Sequence, residues 1–147
     1  MCHFRSATYV VIEGERIKLI TRDTDYAIRA LCFIAKQKQD VISAAELIKK
    51  MKMPRPFLRK LLQILNSQRI LKSVKGKGGG FILNRAPNNI FLFDLIEIFQ
   101  GPLSLSEHIF KKKKCPHIKT CNLKKKIDTI EKYVISRLKV ITLASLL

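Results

Sequence analysis

Cys115 and Cys121 are separated by five residues in a lysine-rich stretch that also holds His108 and His117. Thiolates and imidazoles are ligands of zinc and of iron-sulfur iron, so these side chains can supply a closed Cys2His2 zinc site. The spacing is wider than the roughly two to four residues of a zinc knuckle. A lone histidine in a polar loop is ordinarily exposed, which weighs against His117 as a ligand. Lysine-flanked thiols also oxidise reversibly, so a regulatory disulfide between Cys115 and Cys121 needs no metal at all. Cys32 has no partner near it in sequence and reads as a core residue.

A second chemistry is polyanion binding. The formal charge is +18, from 29 basic and 11 acidic residues in a chain of 147. A field of that size attracts nucleic acid and makes binding strongly dependent on salt. Between Ser43 and Arg85 stand eleven Lys or Arg against one acid, Glu46. That stretch includes Gly76, Lys77, Gly78, Gly79 and Gly80, a run that resembles a phosphate cradle only superficially. A Walker loop needs Gly-Lys followed by Ser or Thr at a helix start, and here glycines and a strand follow. No catalytic triad, carboxylate pair or nucleotide fingerprint is present, so the chain reads as a binding protein and not an enzyme.

The elements that must position these groups are mostly helices. Tyr26, Ala27, Ala30, Leu31, Ile34 and Ala35 recur at helical spacing and predict a helix from Asp23 to near Gln37. Ser43 with Glu46 three residues on is a capping-box signature for a short helix ending near Met51. Pro54 and Pro56 suit the turn and the first positions of a third helix, whose apolar face is Phe57, Leu58, Leu61, Leu62 and Leu65. Its other face carries Arg55, Arg59, Lys60, Gln63 and Asn66, side chains long enough to reach base edges or phosphates in a major groove. A strand at Ile70–Val74, the glycines and a return through Phe81–Leu83 make a hairpin, with Lys72, Lys75 and Lys77 around it. A helix-turn-helix followed by a basic wing is the simplest assembly of these parts.

Beyond Pro87 a brief strand at Ile90–Leu92 leads to a helix from about Phe93 to Gln100, stopped by Gly101 and Pro102. A loop from Leu103 to Thr120 carries the Lys111–Lys114 run. Leu123, Ile127, Ile130, Val134, Leu138 and Ile141 then form an apolar seam on a long last helix, suited to pairing with a second copy, although packing back on its own domain is the competing arrangement. No apolar run approaches the roughly 20 residues that span a bilayer. The N-terminus lacks the pattern of a secretory signal. The fold expected is mainly α with a small β-hairpin wing, a winged helix-turn-helix plus a long C-terminal dimerisation helix. Its divisions are 1–16 as an N-terminal extension, 17–102 as the DNA-binding domain, 103–121 as a ligand loop and 122–147 as the dimer helix.

Several of these pieces, in this order, resemble the IscR/NsrR/CymR family of bacterial winged-helix regulators. They are Lys18-Leu19 with Thr24-Asp25-Tyr26-Ala27 and Arg29-Ala30, then Pro54-Arg55-Pro56-Phe57-Leu58, then Ser73-Val74-Lys75-Gly76 with Gly78-Gly79-Gly80. Gly101-Pro102-Leu103-Ser104-Leu105 and the closing Thr142-Leu143-Ala144-Ser145-Leu146 complete them. The likeness covers Ile17 to Leu147. Members typically begin with Met, a basic residue and Leu, matched here by Ile17-Lys18-Leu19, so the first sixteen residues are an extension or follow from a misplaced start.

The resemblance implies a cytoplasmic homodimer that binds an inverted repeat in double-stranded DNA, usually as a repressor, and senses redox state, nitric oxide or iron-sulfur status. Many members hold an iron-sulfur cluster, [2Fe-2S] or [4Fe-4S], in the loop before the dimer helix. Two of the family's cluster cysteines correspond to Cys115 and Cys121. Where cluster-binding relatives place the first cysteine, after Leu103-Ser104-Leu105-Ser106-Glu107, this chain has His108, and imidazole ligates iron in Rieske centres. Some relatives use an acid from the partner subunit at the position of Asp25. By itself Asp25 reads equally as a helix-start acid favoured by the dipole. Arg59 and Lys60 differ from the acid and amide that some relatives use to read bases. The DNA-binding set expected is therefore Arg55, Arg59, Lys60, Gln63, Lys72, Lys75 and Lys77, and the ligand set Cys115, Cys121, His108 and Asp25, with zinc or a thiol-disulfide pair as alternatives to a cluster.

Overall fold

The computed structural model describes residues 19–37, 41–105 and 120–147. Helix α1 (Arg22–Lys36) carries Asp23 and Asp25 in its first turn and Lys36 in its last, each charge at the end of the peptide dipoles that favours it. Its buried face is Thr24, Ala27, Ala30, Leu31 and Ile34, a three-and-four spacing that lays one stripe inward. Helix α2 (Ala44–Met51) starts where the Ser43 hydroxyl accepts from the Glu46 amide at 3.1 Å. It stops at Lys52, whose φ of 51° turns the chain out of the helix. Helix α3 (Arg55–Ser67) is entered through Pro54 and Pro56, whose fixed φ and missing N–H cost nothing in a first turn. Leu58, Leu61, Leu62 and Leu65 face inward.

Strands β1 (Leu71–Val74) and β2 (Gly80–Leu83) pair antiparallel, with Leu71 opposite Leu83 and Ser73 opposite Phe81. Ile42, just before α2, adds a single bridge on the other side of Phe81, so the wing is stitched to the start of the helix-turn-helix. Leu31, Leu47, Leu58, Leu62, Leu65, Ile70, Leu71 and Leu95 are deeply buried and form one core under α1, α2, α3, the hairpin and the next helix.

Helix α4 (Leu92–Gln100) begins one residue earlier than its periodicity suggests. The strand expected at Ile90–Leu92 shrinks to one bridge, Phe91 with Thr142, because Leu92 already belongs to the helix. Two bonds frame that bridge: Leu92 donates to the Ile141 carbonyl at 2.9 Å and Leu143 to that of Ile90 at 2.8 Å. The chain terminus is thereby fastened beside α4, in a short 3-10 turn at Leu143–Leu146.

Helix α5 (Asn122–Leu138) is the longest of the described helices, and its apolar seam divides in two. Val134, Ile135, Leu138 and Ile141 pack on Leu92, Phe93 and Ile96, and Lys139 places its ammonium 5.0 Å from the centre of the Phe93 ring. Leu123, Ile130 and Tyr133 are 71%, 53% and 67% exposed. The seam read from sequence as one face for a second copy is thus partly intramolecular. Among the described residues, the part of α5 that carries Leu123, Ile130 and Tyr133 keeps those side chains exposed. The fold class is as expected, mainly α with a two-stranded wing.

Candidate nucleic-acid interface and ligand residues

On α3 the buried leucines turn the opposite side to solvent, and Arg55, Arg59, Lys60 and Gln63 are all exposed there. Arg55, Arg59 and Gln63 follow each other at four-residue steps and therefore form one ridge along the helix. Lys60 lies roughly 100° round from Arg59. It lines a small cleft with Asp23, Phe57, Leu61, Ile64 and Phe99, on the side of α3 that faces α1 and α4. Asn66 shares the ridge, but its Oδ1 accepts from the Ser73 amide of β1 at 3.1 Å.

The wing tip is a tight turn closed by Gly79 N–H donating to the Gly76 carbonyl at 3.0 Å, with Gly76 at φ 107° and Gly78 at φ 82°, angles that favour glycine. Lys72, Lys75 and Lys77 are exposed around it. At Gly80 a side chain is excluded for a different reason, since a Cβ there would stand 2.2 Å from the Ile42 carbonyl oxygen. Ridge and wing meet at the turn after α3. Arg69 adopts φ 55°, its carbonyl accepts from Asn84 Nδ2 at 3.0 Å, and the Gln68 carbonyl accepts from Arg85 Nη2 at 3.3 Å. These bonds tie α3, with exposed Arg55, Arg59 and Gln63, to a hairpin with exposed Lys72, Lys75 and Lys77.

Of the ligand set, Asp25 and Cys121 lie in the described part, while His108 and Cys115 fall outside it, as do His117 and Lys111–Lys114. Asp25 projects from the first turn of α1 and pairs with Arg29 Nε at 2.9 Å. Cys121 is half-buried at the N-cap of α5, where its sulfur accepts from the Lys124 amide at 3.4 Å. Thiol sulfur suits both iron-sulfur iron and zinc, and a carboxylate is compatible with either, so the donor types fit the groups considered. Among the described residues, no three or more His, Cys, Asp and Glu side chains converge on one point. Cys32 is half-buried on α1 among apolar neighbours, and burial pushes its thiol pKa up, with the Lys36 charge opposing.

Two anchoring residues escaped the sequence reading. Gln100, last in α4, takes the Thr21 amide at 2.8 Å and the Thr24 hydroxyl at 2.7 Å on Oε1, and donates from Nε2 to the Leu19 carbonyl at 3.3 Å. Glu131 on α5 accepts from the Leu105 amide at 2.8 Å. Each bond joins residues too distant in sequence for any local pattern to announce it. The only local hint is a polar residue at the end of a helix that Gly101 and Pro102 terminate. Among the described residues no helix is long and apolar enough to cross a membrane.

The family described as Rrf2, iron-dependent transcriptional regulator, matches residues 20–147. A protein of Aquifex aeolicus named as an HTH-type transcriptional regulator is 39% identical over 74 residues, 50% of this chain and 51% of that one. The chain thus spans about half the length of that relative. Protein aau3 of Rhizobium meliloti is 28% identical over 106 residues, 71% of this chain and 68% of its own. Among solved structures, CymR, the global cysteine regulator of B. subtilis, superposes with a TM-score of 0.69 at 23% identity, covering 89% of this chain and 96% of that one. IscR of T. potens does so at 0.64 and 24%, covering 90% and 86%. At such identities the superpositions speak for the fold, a winged helix with a long C-terminal helix. The match over residues 20–147 makes this protein a member of the Rrf2 family of transcriptional regulators.

Proposed function

We propose that two copies of this chain, joined through the free end of α5, read an inverted repeat with their α3 ridges and grip its phosphates with their wings, usually to repress. What supports the DNA half of this reading is the exposure of Arg55, Arg59 and Gln63 along α3 and of Lys72, Lys75 and Lys77 on the wing that Asn66 ties to that helix. A twofold pair repeats that surface and matches a palindrome. Exposed Leu123, Ile130 and Tyr133 supply the apolar contact. Lys60, turned toward the α1 and α4 side, is the member of the set best suited to a phosphate and least to a base edge.

The same reading assigns an iron-sulfur cluster, [2Fe-2S] or [4Fe-4S], to Cys115, Cys121 and His108, with Asp25 of the partner subunit as fourth ligand. Cys121 heads α5 and Glu131 on the same helix holds the Leu105 amide, so both described ends of the ligand loop bear on the proposed dimer helix. When bound, such a group supplies redox and nitric-oxide chemistry, and imidazole in place of thiolate raises its potential, as in Rieske centres. Any change in how Cys121 is held moves the start of α5 and, with it, the spacing of the α3 ridges. Asp25 would exchange its Arg29 partner for the ligand role, which leaves Arg29 free to respond.

Anaerobically purified protein should show visible absorption with matching iron and sulfide, lost in Cys115→Ala and altered in His108→Ala. Protein that holds zinc instead, or that titrates only as a Cys115–Cys121 disulfide, replaces the cluster with one of those alternatives. Protein that holds neither leaves a DNA-binding regulator without a sensor at this loop.

A further inference from the structure

We infer that Asn66 is a positioning residue that sets the distance and angle between the α3 ridge and the wing, and does not itself read bases; this rests on the DNA-binding surface proposed above. Phe81 gives both of its backbone groups to Ile42, donating at 2.9 Å and accepting at 3.0 Å. In an antiparallel pair, groups turned toward a third strand are turned away from the second, so Phe81 and Ser73 face each other without exchanging bonds. The Ser73 amide therefore points out of the sheet on the open side of β1. An edge donor there would be left to water or to another chain. Asn66, seven residues earlier on α3, takes that amide with Oδ1.

An asparagine that reads adenine uses both ends of its amide at once, its oxygen accepting from N6 and its nitrogen donating to N7. With Oδ1 turned to Ser73, that bidentate geometry is not presented to a groove. The joint is closed from the other side as well. Asn84, directly after β2, donates through its backbone to the Ile70 carbonyl at 2.9 Å and through Nδ2 to the Arg69 carbonyl, while Arg85 caps the Gln68 carbonyl. Carbonyls at a helix C-terminus otherwise lack partners. Here the Arg69 and Ile70 amides take the Asn66 and Leu65 carbonyls, and the exit from the hairpin supplies partners for Gln68 and Arg69 beyond them, so α3 is fixed to β1 by Asn66 and its exit turn to the end of β2 by Asn84 and Arg85. Phosphate contacts by Lys75 and Lys77 then keep one register relative to base contacts by Arg59 and Gln63.

The test uses the full chain, a duplex selected by the wild-type protein from a randomised pool, and a scrambled duplex of equal length. In Asn66→Ala, hydrogen exchange at the Ser73 amide should quicken by about tenfold, as expected for removing one edge bond without global unfolding. The slope of log affinity against log salt should fall by about 0.9 for each phosphate that the wing no longer neutralises, while the ratio of selected to scrambled affinity is kept. Asn66→Asp keeps an acceptor and should keep Ser73 protected. Unchanged Ser73 exchange in Asn66→Ala overturns the inference, as does a collapse of the affinity ratio at constant slope, which would make Asn66 a base reader. Lys75→Ala separates the two levels. If it leaves the slope at the wild-type value, the wing does not touch DNA and the surface itself is wrong; if it lowers the slope and Asn66→Ala does not, only the positioning role fails.

Discussion

The Thr24 hydroxyl, fully buried on α1, donates to the side-chain oxygen of Gln100 at 2.7 Å across 76 residues of sequence. The same oxygen takes the Thr21 amide at 2.8 Å, so one side chain at the end of α4 fixes the start of α1. Removing it leaves the Thr21 amide unpaired and the buried Thr24 hydroxyl with only its 3.3 Å contact to the Thr21 hydroxyl. Gln100→Ala should cost about 1–3 kcal/mol in urea denaturation, the range for a buried donor left unpaired. Gln100→Glu keeps the acceptor and should lose less at neutral pH. Equal losses in the two variants would mean that packing, and not this bond, is what Gln100 contributes.

Gly80→Ala should unseat the wing. A Cβ at 2.2 Å from the Ile42 carbonyl oxygen must push Ile42 away and with it the two bonds between Ile42 and Phe81. The expected destabilisation is about 1–3 kcal/mol, as for other insertions into filled space. Thermal unfolding measures it, and a variant as stable as the parent would mean that the bridge yields without cost.

Arg59→Ala and Gln63→Ala should weaken binding and relax sequence preference, at about 1–3 kcal/mol for a good bidentate base contact. Lys75→Ala and Lys77→Ala should weaken all duplexes alike and lower the salt slope. Competition assays with selected and scrambled duplexes distinguish the two classes. Should all four changes leave the affinity ratio untouched, base reading belongs elsewhere on α3.

The divided seam of α5 separates stability from assembly. Leu138, 6% exposed against Leu92 and Phe93, should cost about 2–5 kcal/mol when changed to Ala. Tyr133→Ala, at an exposed site, should leave the fold intact and shift sedimentation from dimer toward monomer. A Tyr133→Ala protein whose sedimentation matches the parent at every concentration would move the interface off this face.

Burial raises the Cys32 pKa, so folding favours its neutral thiol. A group whose pKa is raised in the folded state adds stability below its unfolded value and loses that stability as pH climbs through the folded one. Stability should therefore decline above about pH 9, the ordinary thiol value, and the decline should flatten in Cys32→Ala. Alkylation of Cys32 should stay slow at neutral pH in the folded protein. Rapid labelling there would show that α1 opens locally.

Much of this protein is written in local pattern. The spacing of Leu58, Leu61, Leu62 and Leu65 makes α3 a half-buried helix, and that alone turns Arg55, Arg59 and Gln63 to solvent. Ser43 caps α2 because a hydroxyl three residues before an amide reaches it with no help from the rest of the fold. The glycines at the wing tip declare a turn by conformational necessity. What pattern could not decide is which polar side chain meets which distant backbone group. Asn66 looks like a member of the reading ridge until β1 returns alongside α3 and presents the Ser73 amide. Lys60 belongs to the charged face by type, yet packing of α3 on α1 and α4 places it at a cleft. The apolar repeat of α5 is equally regular at Leu123 and at Leu138, and only the docking of its last turns on α4 separates a buried end from a free one. Periodicity is a property of neighbouring residues, whereas these outcomes depend on surfaces brought together from far along the chain, and only the packed core sets where those surfaces meet.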